Sequence, residues 1–265
     1  MRRASTDSLD AAAISAALGP RAREIEIGVV ASCGSTNAEL LEAPDSAVPR
    51  LLAADYQSAG RGRHGRRWRS ARGAGICFSL RRRMRRPPRE LAGASLAAGV
   101  AVARALRAAG ARGIALKWPN DLLDAKGAKL GGILIETRLQ GRSAVAVIGI
   151  GVNYRSKPAA RVRRRTAALE DLLRPLPSRN LLIAAMTREL LDVLDSFDAS
   201  GLAHLRGEWE SLHAHAGQRL RLRLADGTVI AGIDAGVAED GAMRVRTRDG
   251  VRALHSARVV SARPA

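Results

Sequence analysis

Hydrophobic and polar positions along the 265-residue chain change period several times. Ser8 to Leu18 reads as a short alanine-rich helix stopped by Gly19 and Pro20. Glu24 to Val30 alternates and then turns apolar, as a strand does, and Ser35, Thr36 and Asn37 supply N-cap side chains for a helix to about Glu42. Leu51 to Tyr56 predicts a second strand, Ser58 to Arg69 a loop of glycine and arginine, and Gly75 to Leu80 a third strand in which Ile76, Phe78 and Leu80 alternate. Pro88 to Ala109 is the longest expected helix, with proline in its first turn and Gly110 past its end. Ala115 to Trp118 is a short strand broken by Pro119 and Asn120. Lys129 to Leu139 and Ser143 to Asn153 form an expected hairpin of buried strands. Arg179 to Phe197 is amphipathic and helical, with a shorter helix from Leu202 to Leu212. Beyond Gly217 the texture is that of short strands, Arg219 to Leu224, Val229 to Ile233, Met243 to Thr247 and Val251 to Leu254, separated by Asp-Gly turns.

Composition narrows the class without naming a function. Hydrophobic residues make up 46% of the chain and charged ones 26%, enough for a core without disulfide or metal staples. Cys33 and Cys77 are far apart and form no Cys-x-x-Cys, which points to a reducing cytoplasm. Leu91 to Ala103, the longest near-apolar stretch, is short of the ~20 residues of a bilayer-spanning helix. Arg2 and Arg3 are followed by Asp7 and Asp10 and then alanines, unlike a secretory signal. A net charge of +19 raises nucleic acid as a partner. The excess is arginine, because lysine occurs only at 117, 126, 129 and 157, and an arginine- and alanine-rich chain is what a GC-rich coding sequence would produce. The basic runs Arg81 to Arg86 and Arg161 to Arg165 are therefore read as solvated faces or loops ahead of nucleic-acid contacts.

Four segments could carry chemistry. Gly60-Arg61-Gly62-Arg63-His64-Gly65 satisfies G-x-G-x-x-G, but it opens no helix and no acid follows about twenty residues on, so it is no dinucleotide turn. It is either a solvated loop or an anion clamp, with guanidinium groups at 61, 63 and 66. Lys117-Trp118-Pro119-Asn120-Asp121 ends an apolar strand in polar groups that could be turn formers alone. Lys129-Leu130-Gly131-Gly132-Ile133-Leu134-Ile135-Glu136 places a cation before paired glycines, a bulge or a place where a ligand lies on the backbone. Gly149-Ile150-Gly151-Val152-Asn153-Tyr154 closes a buried strand. His213-x-His215 lacks helix-face spacing for zinc and reads as a surface pair.

Together, in this order and spacing, these segments resemble the biotin protein ligases. The match runs from Ser35-Thr36-Asn37 through Tyr56-Gln57, the arginine loop to Trp68, the Lys-Trp-Pro-Asn-Asp block, Lys129 to Ile133, and Gly149 to Asn153. The resemblance implies an α+β fold: a mixed β-sheet catalytic domain over 24–215 after an N-terminal extension 1–23, and a small C-terminal SH3-like β-barrel over 216–265. It implies the ligase-only form, without the helix-turn-helix domain of members that repress transcription, and no specific DNA target. The implied reaction joins biotin to ATP as biotinyl-adenylate, with Mg²⁺ accompanying ATP and no protein metal site. The biotinyl group then passes to a lysine of the biotin carboxyl carrier protein of a carboxylase. The resemblance places Ser35, Thr36, Gln57, Gly60 and Gly132 at biotin, with Arg61 in the loop that orders over it. Arg63, Arg66, Trp68, Lys117, Asn120 and Asn153 fall at the nucleotide, Lys129 between the biotin carboxylate and the α-phosphate, and Asp121 at the incoming lysine. The implied enzyme is cytoplasmic, a monomer or homodimer. A lipoate protein ligase of the same fold is the nearest alternative; an arginine-rich nucleic-acid-binding protein is the alternative of another class, disfavoured by an aromatic content of 3%.

Overall fold

The computed structural model describes residues 7–69, 71–140, 143–156 and 165–265. Arg2, Arg3, Lys157 and most of the basic run 161–165 lie outside the described residues. The chain begins with helix α1 (Ala11–Leu18), whose N-cap Asp10 accepts the Ala13 N–H and which ends at Gly19 with φ +72°. A seven-stranded sheet follows, built from β1 (Glu26–Val30), β2 (Arg50–Ala54), β3 (Gly75–Met84), β4 (Ala115–Lys117), β5 (Asp121–Leu123), β6 (Lys129–Gln140) and β7 (Ser143–Asn153). Its order is β1-β2-β3-β7-β6-β5-β4, with only β1 and β2 parallel. Helix α2 (Thr36–Glu42) lies between β1 and β2, α3 (Ala94–Ala108) between β3 and β4, and α4 (Arg179–Ser200) with α5 (Ala203–Ser211) follows β7.

Period-two alternation divides the sheet into two unlike faces. On one, Ile76, Phe78 and Leu80 of β3 and Ile148, Ile150 and Val152 of β7 are fully buried. Helix α3 packs here: at Gly99 an added Cβ would be 3.8 Å from Ile133, the register partner of Ile150. Helix α4 lies over α3, and α1 over α4. The other face carries Cys77 and Ser79 on β3 and the two glycines 149 and 151 on β7, and receives α2. Helix α1 is anchored at long range. Arg179, buried at the start of α4, pairs with Asp7 at 3.3 Å and with Asp55 at 2.6 Å, and Arg188 donates to the Ala17 carbonyl.

A second, five-stranded antiparallel sheet of order β11-β10-β9-β8-β12 closes the chain. It contains β8 (Arg219–Arg223), β9 (Val229–Val237), β10 (Met243–Thr247), β11 (Gly250–Leu254) and β12 (Arg258–Arg263). Leu220, Leu222, Ile230, Val237, Met243 and Val245 form its core. Contacts in two places fasten it to the rest of the chain. The Trp118 indole N–H donates to the Gly241 carbonyl at 3.0 Å, where Gly241 and Gly93 touch backbone to backbone. Glu210 accepts the Val237 N–H, and His213 faces Asp234 at 3.3 Å.

Several expectations change. The longest helix is α4, of 22 residues, because Pro88 to Gly93 forms a 3₁₀ turn that shortens α3 to 15. Three-residue β5 and all of β12 are additional strands. The helical stretch Glu90–Ala108 is long and apolar enough to cross a membrane, with mean hydropathy 1.3, but 72% of that window is buried against the rest of the chain. His213 and His215 are no surface pair: His213 is buried, its ring 4.6 Å from that of Trp209, and burial and the nearby Lys117 lower the His215 pKa. The run from Arg81 is a solvated face only in part, at Arg83 and Arg85. Arg81 is 2% exposed and bonded to Asp45, and Arg82 reaches Asp195 and Asp198. Asp198 also accepts the backbone N–H groups of Arg85 and Arg86.

That single buried carboxylate is the counter-ion and backbone cap of the bend that ends β3. Asp198→Ala leaves two backbone N–H groups and two arginines, Arg82 and Arg85, without it. We expect unfolding free energy to fall by roughly 2–4 kcal/mol in urea titrations, and a change below about 0.5 kcal/mol would show that solvent replaces the carboxylate.

Candidate functional site

On the α2 face the loop after β2 returns over the sheet and encloses a cavity of about 210 Å³. The glycine-arginine segment is a folded hairpin. The Gly62 N–H donates to the Arg66 carbonyl at 2.7 Å and the Trp68 N–H to that of Gly60 at 2.9 Å, and the tip turns through His64 and Gly65, with φ of +56° and +68°. Positive φ at both positions is the geometry that tight hairpin turns need, and Gly65 adopts it without strain. Arg61 is held at 3.2 Å from Glu136 of β6.

Beneath the hairpin runs a connected polar row. Ser35 is the N-cap of α2, but its side chain caps nothing; the expected cap is replaced by Gln57, whose Oε1 accepts the Thr36 N–H at 2.8 Å. Ser79 donates to Asn37 Oδ1 at 2.6 Å, so the Thr36 hydroxyl donates to Ser79 at 2.7 Å. Asn37 in turn donates to Glu136 at 2.9 Å. Each member is thus oriented by the next, and buried polar groups satisfied in this way are rigid. The row depends on missing side chains. A Cβ on Gly149 would be 2.2 Å from Asn37 Oδ1, and one on Gly151 would be 2.6 Å from the Trp68 ring. The Trp68 Nε1 is buried with no partner.

At the other end, Lys129 forms an ion pair with Asp121, close over Gly132, where a Cβ would be 3.3 Å from the ammonium. Asn120 donates to the Ile133 carbonyl at 2.7 Å, fixing the turn of Lys117-Trp118-Pro119-Asn120-Asp121, which contains a cis Trp118–Pro119 bond. Seven basic side chains, Arg61, Arg63, Arg66, Arg67, Lys117, Lys129 and Arg258, line the cavity against one carboxylate, Asp121. Burial lowers the pKa of Arg63, an effect that Asp121 partly offsets. A cavity of this sign, partly withdrawn from water, concentrates anions. Among the described residues no three His, Cys, Asp or Glu side chains converge as a metal site would need.

The structure brings Ser35, Thr36, Gln57, Arg61, Arg63, Arg66, Trp68, Lys117, Asn120, Asp121, Lys129 and Gly132 to this one cavity. Gly60 stands behind it, where a Cβ would strike the Trp68 carbonyl at 2.7 Å. Asn153 is not among the residues that line it: its amide donates to the carbonyls of Lys129 and Ala167, tying the end of β7 to the start of β6. Residues beyond the expected set include Asn37, Gly149, Gly151 and the segment Ala257 to Val259. The three earlier ones stand within the motifs; nothing in the local pattern signals Arg258.

Comparison with known proteins gives a consistent picture. Residues 30–153 match the family described as biotin/lipoate A/B protein ligase. The chain is 37% identical over 201 residues to the bifunctional ligase/repressor BirA of Escherichia coli, covering 75% of this chain but only 61% of that protein's length. It is 34% identical over 223 residues to the biotin–[acetyl-CoA-carboxylase] ligase of Mycobacterium tuberculosis, covering 82% of this chain and 81% of that one. A biotin protein ligase from Aquifex aeolicus, solved with biotin and ATP, superposes with a TM-score of 0.75 at 26% identity, covering 91% of this chain and 99% of that one.

The seating of Trp68 can be tested without a ligand. In Gly151→Ala the added methyl cannot share space with the indole, so the ring should move and overpacking should cost about 1–3 kcal/mol. Indole N–H resonances report this directly: one of three should shift strongly, and an unchanged set would refute the contact.

Proposed function

The chain belongs to the biotin/lipoate A/B protein ligase family, and on that premise we propose that it is an ATP-dependent biotin protein ligase. It activates biotin as biotinyl-adenylate, releasing pyrophosphate, and transfers the biotinyl group to a lysine of a biotin carboxyl carrier protein. The observation that carries this reading is the cavity's charge: seven cations and one carboxylate around a slot with a polar, sterically fixed end. Joining a carboxylate to a polyphosphate brings two anions together, and the barrier falls when fixed cations hold both, with little acid–base chemistry required.

The polar row suits the uncharged head of biotin, with Thr36 and Gln57 oriented by the hydrogen bond between them, Ser35 beside them at the N-cap of α2, and Gly132 leaving room at the Lys129 end of the slot. Trp68 offers a flat ring and an unsatisfied N–H to the nucleotide, with Arg63, Arg66, Lys117 and Asn120 around the phosphates. Asn153, occupied in tying β6 to β7, is dropped from that set. Lys129 stands between the two anions; its pairing with Asp121 keeps the ammonium in place until they arrive. Asp121, released as Lys129 turns to phosphate, is placed to receive the ammonium of the acceptor lysine. Mg²⁺ travels with ATP on phosphate and water ligands, since Asp121, the one carboxylate of the lining, is already engaged. The internal pairing of Arg81 and Arg82 removes part of the basic surface that the nucleic-acid reading would use.

Biotin-dependent exchange of pyrophosphate into ATP, with lipoate as the competing acid, tests the reading; preference for lipoate or no exchange would overturn it. Lys129→Gln should lower adenylation by on the order of 10²–10³ and slow transfer from preformed adenylate much less. Unchanged adenylation would remove Lys129 from its role.

A further inference from the structure

We infer that Arg258, on strand β12 of the C-terminal sheet, is a further catalytic residue that holds the departing pyrophosphate during adenylation. The inference rests on the reading of the cavity as a biotin-adenylating site. Arg258 comes from the second sheet, 129 positions beyond Lys129, yet it lines the same cavity with its neighbours Ala257 and Val259. Its placement is fixed from two sides. The Trp118 bond to Gly241 holds the start of β10 against the first sheet, and Met243 of β10 is in register with Leu254, so the segment after Leu254 emerges beside that joint. On the other side β12 pairs with β8.

That pairing is electrostatically unfavourable. Arg258 lies directly opposite Arg223, and neither has an ion-pair partner among the described residues. Like charges facing each other across an antiparallel pair destabilise it. The ladder slips between Val259 and Ser261, the kind of irregularity that re-aims side chains at the edges of active sites. Arg263 faces Arg219 in the same way at the far end of the ladder, but of these four arginines only Arg258 lines the cavity, where a bound anion would offset the repulsion.

The order of the sheet says which anion. Ser35 and Thr36 lie over β3 and β7, Lys129 and Asp121 on β6 and β5, and Trp118 with the attached C-terminal sheet beyond β4. With the biotin head at the first position and its carboxylate at Lys129, the α-phosphorus is at Lys129 too. A carboxylate oxygen forms a bond to that phosphorus while the bond to the bridging oxygen breaks, and the electron pair leaves on pyrophosphate. No proton or redox partner is required. In-line displacement sends the leaving oxygen away from the attacking one, therefore toward the β4 end and Arg258. Charge grows there as the bond breaks, so the guanidinium favours the transition state over bound ATP.

The experiment uses the full chain and the variants Arg258→Ala, Arg258→Lys and, as a control at the far end of the same ladder and outside the cavity lining, Arg219→Ala. Biotin-dependent exchange, inhibition by added pyrophosphate, and single-turnover transfer from preformed biotinyl-adenylate are measured separately. In Arg258→Ala, adenylation should fall roughly 10- to 100-fold and the pyrophosphate inhibition constant rise about 10-fold, with transfer within twofold of wild type; the smaller effect than at a fully dry site reflects solvent access. Arg258→Lys should recover part of both, and Arg219→Ala should change neither by more than twofold. Adenylation and pyrophosphate inhibition equal to wild type in Arg258→Ala, or loss confined to transfer, overturns the inference alone. Absence of exchange in the wild-type chain overturns the reading of the site and the inference with it.

Discussion

The site depends on how closely α2 and the arginine hairpin approach β7. Gly149 and Gly151 occupy the two positions of that strand that face them, and an added methyl at either would occupy the space of Asn37 or Trp68. Because alternate residues of a strand share a face, two glycines two apart remove the side chains from one face and leave Ile148, Ile150 and Val152 to fill the core on the other. One strand therefore serves as hydrophobic core on one side and as the floor of a polar cavity on the other. The backbone of the sheet, which cannot adjust without disturbing that core, positions the chemistry.

Two groups of arginines stand apart electrostatically. Those at 81, 82 and 179 are buried or nearly so and matched to Asp45, Asp195, Asp198, Asp7 and Asp55; they behave as structural groups whose desolvation is compensated in place. Those at 63, 66, 67 and 258 converge on one cavity in which Asp121 is the only carboxylate of the lining. The net charge of the chain does not distinguish the two. Only the location of the carboxylates does, which is why a bulk charge of this size says little about partners.

Much of this was legible in the residues. The hairpin of β6 and β7 is long, with unbroken apolar runs, and the motifs around Lys117, Lys129 and Gly149 are compact enough to read locally. What escaped has a physical cause in each case. Strand β5 is three residues long, too short for a period, and exists because β6 pairs with it. Strand β12, Arg-Val-Val-Ser-Ala-Arg, has little apolar contrast and takes its order from β8, 35 positions earlier. The glycine-arginine segment reads as loose because glycines usually are, whereas the backbone bonds from Gly62 and Trp68 close it. His213 looked exposed because its partner, Asp234, lies on another sheet.

The docking of α1 on α4 has a consequence for synthesis. Ile14 and Leu18 are completely covered in the finished molecule, yet the helix that covers them begins at Arg179, and Asp7 waits for that same arginine. At ribosomal rates of about 5–20 residues per second, the first helix leaves the exit tunnel roughly ten to forty seconds before its cover. Through that interval a short alanine-rich segment with an exposed apolar stripe must remain soluble by itself. Nascent-chain chaperones that bind such stripes would meet α1 long before the catalytic cavity has any walls.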